Sequence, residues 1–106
     1  MSADSDPSSA GAILRVATGS ALLRHETGLH ARPAVKLTKL AKRFSARIEF
    51  SPSPDGPWID AKSIVKVMAA KTSQNTLLHF RAKGEDATAA VDSLVQLVEQ
   101  DFPDDR

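Results

Sequence analysis

The sequence predicts an α+β domain, an antiparallel sheet covered on one face by helices. Three observations lead there. Apolar residues recur at helical spacing in three stretches, around residues 33–44, 63–70 and 87–98. Between them lie short apolar or alternating runs bounded by Gly, Pro, Ser and Thr. The resulting order is β-α-β-β-α-β-α. The length of 106 residues and a hydrophobic content of 42% suit one modest core.

Residues 1–12, rich in Ser, Ala and Asp, hold little to bury and are expected to form a flexible N-terminal tail ahead of a domain spanning 13–106. Residues 13–16 either extend the first strand or tether the tail. The first strand is placed at 20–25, with Leu22 and Leu23, between the turn signals Thr18-Gly19 and Thr27-Gly28. The first helix is placed at 33–44. Ala34, Leu37, Leu40, Ala41 and Phe44 make its apolar stripe, and Arg32, Lys36, Lys39 and Arg43 its basic face. Pro33 suits a first turn, where its missing N–H is not needed. Residues 46–51 alternate and read as a strand. The connector 51–57 is turn-rich, and 58–60 returns as a brief strand with Trp58 in packing. A short helix follows at 63–70 with Ile64, Val67 and Met68 inward. Residues 71–75 form a loop and 76–81 the last strand. Gly84-Glu85-Asp86 opens the last helix, with Ala87, Ala90, Val91, Leu94, Val95 and Val98 as its stripe and acidic residues in its first turn.

Composition narrows the function classes. The net charge is +1, and basic residues are not interleaved with aromatics, which argues against nucleic acid as a partner. There are no cysteines, so disulfides and thiolate chemistry are excluded. No apolar run approaches the ~20 residues needed to span a bilayer. The polar, acidic start does not resemble a secretory signal, so the expected location is the cytoplasm, without membrane insertion. His25, at the end of the first strand, and His79, in the last, have no paired ligand spacing, and no metal is expected.

The segment Thr27-Gly28-Leu29-His30-Ala31-Arg32-Pro33-Ala34 stands apart. Gly28 permits a turn, and His30 falls at or near the N-cap of the first helix. The start of a helix presents outward N–H groups and a positive dipole end, both suited to phosphate. Arg32 adds a fixed charge and several donors. A neutral imidazole there is a nucleophile beside a ready anion site. Spacing alone leaves open that His30 is an ordinary surface or capping residue.

Residues 28–34 resemble the active-site signature of the HPr family, the histidine phosphocarriers of the bacterial phosphoenolpyruvate-dependent phosphotransferase system. The similarity continues through Asp60-Ala61-Lys62-Ser63-Ile64-Val65, Gly84-Glu85-Asp86 and Ala90-Val91, and covers about 20–101. The resemblance implies an open-faced β-sandwich, with a four-stranded antiparallel sheet covered on one face by three helices. It implies that His30 takes a phosphoryl group on Nδ1 from phosphorylated enzyme I and passes it to an EIIA protein or domain, in sugar uptake or its regulation. The chain would then be a carrier rather than an enzyme, with no cofactor. Arg32 would stabilise the phosphate, and the N–H groups of Ala31 and Arg32 would cradle it. Ser63 matches a serine that an HPr kinase/phosphorylase modifies in some bacteria, although an N-cap role explains its position equally well. Val35, Ile64 and Val65 would form the docking patch, ringed by Arg32, Lys36, Lys39, Lys62 and Lys66, and a monomer is expected. The alternatives are a carrier in a nitrogen-related or other regulatory branch, and a regulatory binding protein on the same fold.

Three features depart from the family pattern: the proline-rich connector 51–57, the N-terminal tail, and the absence of glycine from loop 71–75. Asn75 tolerates a left-handed backbone, and Lys71 less easily. That loop is expected on the partner-facing side, away from His30 and Arg32.

Overall fold

The computed structural model describes residues 15–103. Within them the chain forms β1 (Val16–Leu23), α1 (Ala31–Ala41), β2 (Arg47–Ser51), β3 (Ile59–Asp60), α2 (Ile64–Ala69), β4 (Thr76–Lys83) and α3 (Ala87–Glu99), in the expected order. The expected tail at 1–12 lies outside the described residues, as do residues 13 and 14.

The sheet runs β1-β4-β2-β3, and every pairing is antiparallel. β1 therefore runs parallel to β2 with β4 between them, and β3 parallel to β4 with β2 between them. α1 and α2 are the crossovers of these two split units. Right-handed crossovers in both place the two helices on the same face of the sheet.

The core lies between that face and the helices. The sheet contributes Ala21, Leu23, Ile48, Phe50, Leu78, Phe80 and Ala82, and the helices Ala34, Leu37, Val67, Val91, Leu94 and Val98, all buried. Phe50 and Phe80 meet at its centre, 6.4 Å between ring centroids. On β4 the alternation is strict: Leu78, Phe80 and Ala82 face the helices, while Leu77, Arg81 and Lys83 are exposed.

Several boundaries differ from expectation, each for a physical reason. β1 begins at Val16 and ends at Leu23. Thr18 and Gly19 are mid-strand, paired with Arg81 and Phe80. A Cβ on Gly19 would lie 2.8 Å from the Val91 side chain, so this glycine serves the close crossing of α3 rather than a turn. His25 is left beyond the strand. α1 starts two residues earlier than expected and stops at Ala41. There the chain tightens into i→i−3 bonds, Arg43 N–H to Leu40 O (3.0 Å) and Phe44 N–H to Ala41 O (3.2 Å).

Glu85 and Asp86 precede α3 rather than occupy its first turn. Asp86 is the N-cap, but its side chain does not cap. Its carboxylate instead accepts from the amides of Ser45 (2.9 Å) and Ala46 (2.8 Å), tying α3 to the entry of β2. The Ser45 bond, the largest cause, and the Ala46 bond hold the Asp86 carboxyl below its ordinary value. Trp58 does not enter the core. It lies under the Arg81 guanidinium, 4.0 Å from the ring centroid, and Arg81 Nε donates to Glu49 at 2.8 Å.

Candidate functional site

The site is built from the link between β1 and α1. Gly28 takes φ +70° and donates to His25 O at 2.9 Å, closing a tight turn. Leu29 is then fully buried, with its N–H on Thr72 O at 2.9 Å. With Leu29 anchored inward, His30 emerges exposed. Its backbone is extended (φ −103°, ψ −160°), as an N-cap requires, and its carbonyl accepts the first helical bond from Ala34 N–H at 2.7 Å.

The His30 ring makes no capping hydrogen bond. The reason is partly covalent. A capping side chain usually reaches the N–H of the second or third helical residue. Here the third residue is Pro33, which has none. The outward amides at this end are those of Ala31 and Arg32, whose side chains are exposed beside His30. An anion at the His30 ring would meet those amides and the positive end of an 11-residue helix, while Arg32 lines the hollow on the flank towards His25 and Phe102.

The C-terminal end of α3 closes one flank. Asp101 and Phe102 take φ +59° and +53° and bend the chain back, with Phe102 N–H on Leu97 O at 2.9 Å. Phe102 buries its ring against the edge of His25, 6.1 Å between centroids. Arg24 donates to Glu99 O at 2.5 Å and Lys36 to Phe102 O at 2.9 Å. The first is a cation on a last-turn carbonyl of the helix, and the second holds the carbonyl just beyond the chain reversal. A hollow lined by His25, Arg32, Pro33, Lys36, Phe102 and Pro103 results. Lys36, expected on a solvated rim, is thus half-buried and engaged by a carbonyl.

Ser63 is the N-cap of α2, and its Oγ accepts from Lys66 N–H at 3.2 Å. Of the three apolar residues expected to dock partners, Val35 and Val65 are exposed at 45% and 75%. Ile64 instead packs half-buried against the core. Lys39 and Lys66 are exposed, whereas Lys62 is half-buried with Nζ on Phe44 O at 2.6 Å.

Loop 71–75 is closer to the site than expected. Both Lys71 (φ +49°) and Asn75 (φ +72°) are left-handed. Thr72 O holds the residue next to His30, and Gln74 Nε2 donates to Arg24 O at 3.1 Å. Sequence reasoning missed Arg24, Thr72, Gln74 and Phe102. The contacts that tie them to the site join residues more than 40 positions apart, and spacing carries no signal for them. Asn75 was the one visible hint, as a residue that tolerates positive φ.

Residues 17–100 match the family described as the PTS HPr component phosphorylation site. The chain is 38% identical to a multiphosphoryl transfer protein of Haemophilus influenzae over 77 residues, 72% of this chain and 15% of that protein. It is 36% identical to the phosphocarrier protein HPr of Pseudomonas putida over 78 residues, 74% of this chain and 86% of that one. Among solved structures, HPr-C-His from Thermoanaerobacter tengcongensis superposes with a TM-score of 0.76 at 32% identity, covering 85% of this chain and 99% of that one. The chain thus spans a small fraction of the multiphosphoryl transfer protein and most of the two smaller relatives.

Proposed function

The chain belongs to the HPr family of phosphotransferase-system phosphocarriers, and on that premise we propose that His30 is the residue that carries its phosphoryl group. The observation that carries this reading is an exposed histidine ring, uncommitted to capping, at the start of a helix whose third residue cannot donate.

In the forward step the lone pair of His30 Nδ1 attacks phosphorus on the phosphohistidine of enzyme I. The new N–P bond forms as the donor N–P bond breaks, and the donor imidazole leaves. In the second step a histidine of an EIIA protein or domain attacks in turn and His30 is the leaving group. The Ala31 and Arg32 amides and the Arg32 guanidinium neutralise the charge of the phosphoryl oxygens throughout. The chain itself turns over nothing; its partners do. Val35 and Val65, with Lys39 and Lys66 nearby, supply an apolar patch with a cationic rim, and Ile64 contributes from its half-buried position. Ser63 is the candidate for modification by an HPr kinase/phosphorylase. A cytoplasmic location suits these partners. Among the described residues, no helix is long and apolar enough to cross a membrane.

The test is incubation with enzyme I and labelled phosphoenolpyruvate. Wild type should take up acid-labile label and His30→Ala none. Equal label on both would remove His30 from this role.

A further inference from the structure

β1 and β4 are antiparallel neighbours, so the segment leaving β1 and the segment entering β4 emerge side by side at one end of the sheet. The ladder does not simply stop at Leu23 and Thr76. Asn75 N–H continues it to Leu23 O at 2.6 Å, Gln74 Nε2 reaches Arg24 O at 3.1 Å, and Thr72 O accepts from Leu29 N–H at 2.9 Å. The two backbones also interlock. A Cβ built on Gly28 would stand 2.4 Å from Thr72 O and 3.1 Å from Ser73 Cα, so only glycine fits there. Thr72 is itself buried, and its hydroxyl has no hydrogen-bond partner among the described residues. The loop therefore keeps an unfavourably buried hydroxyl and two left-handed non-glycine residues, Lys71 and Asn75. Strain of this kind persists where surrounding structure imposes it, and it clusters at functional sites.

We propose that loop 71–75 is a positioning element for phosphoryl transfer. It sets the height of Gly28 and Leu29 and so aims the His30 ring at the incoming phosphorus. The inference rests on His30 as acceptor. None of the loop's residues need touch the phosphate, since it acts through the backbone of Leu29. In-line displacement demands close alignment of donor, phosphorus and acceptor, and an offset near 1 Å can cost orders of magnitude in rate.

Three variants test it. Asn75→Ala removes a residue that accepts positive φ, and Asn75→Gly restores that freedom without restoring the side chain. Gln74→Ala cuts one tie at an exposed position and leaves the core alone. The readout is the single-turnover rate of label transfer from phosphorylated enzyme I, at a temperature where circular dichroism shows every variant folded, together with KM for enzyme I. Asn75→Ala should slow transfer roughly tenfold with KM unchanged, Gln74→Ala should slow it less, and Asn75→Gly should recover most of the rate. Wild-type rates in Asn75→Ala and Gln74→Ala, or a loss that glycine does not recover, would overturn the inference. Label on His30→Ala would instead overturn the assignment of the acceptor, so the two failures are distinguishable.

Discussion

Two helix starts in this protein have the same design and opposite finishes. α2 begins at Ser63, whose hydroxyl accepts from the amide of Lys66, the third helical residue. α1 begins at His30 with an equally extended backbone, yet its ring caps nothing, and the third residue is Pro33. One helix closes its own N-terminus. The other does not: the third-residue donor is missing, and the cap residue is an imidazole rather than a small acceptor. A histidine before a helix is thus uninformative alone. With proline at the third position, it supports the proposed reading of an end that takes an external anion.

The contrast can be broken at either end. The largest expected effect is His30→Ala, which should abolish label transfer from enzyme I while leaving the thermal midpoint nearly unchanged, because no cap is lost; a calorimetric scan beside the transfer assay checks both halves. Ser63→Ala should do the reverse: it loses about 1 kcal/mol of stability, read by urea denaturation, with little effect on transfer. A double-mutant cycle sharpens the comparison further. His30→Ser alone should gain little, since Pro33 offers no N–H and only the Arg32 amide is left to a capping hydroxyl. Combined with Pro33→Ala it should show a favourable coupling of roughly 0.5–1 kcal/mol as an ordinary cap forms.

The smallest effect concerns the start of α3, where the cap residue Asp86 directs its carboxylate to Ser45 and Ala46 instead. Its folded-state pKa lies below the ordinary 3.8. Its contribution is therefore fully present above that value and fades as pH falls through the lowered one. Asp86→Asn should lower the melting temperature at neutral pH and flatten its decline below about pH 4, as melting followed against pH would show.

Much of this was legible in the sequence, for reasons tied to period and chemistry. The stripes Ala34–Leu37–Ala41 and Ala90–Val91–Leu94–Val98 are one-dimensional records of a buried face, and they located α1 and α3. The run around His30 is local as well, so its place at a helix start could be read directly. What escaped is what long-range contact decides. Gly19 looked like a turn because its real partner, Val91, is 72 positions away. Asp86 looked like a dipole partner for α3 and turned out to serve β2. Lys36 looked like surface, and packing drew it partly inward, while Ile64 was given both to the apolar stripe of its helix and to the docking patch, and packing favours the stripe. Loop 71–75 looked remote from the site because nothing in its composition announces Thr72 O beneath Leu29.

Pro33 has a consequence beyond geometry. With a phosphoryl group on His30, its oxygens would give α1 the acceptors that Ser63 gives α2 from within the chain. Loading and folding then become linked equilibria. The loaded protein should be the harder one to unfold, and every delivery to a partner must give that extra stability back. The proline that removes one internal capping bond would thereby tie the conformational stability of the carrier to the strength with which it holds its cargo.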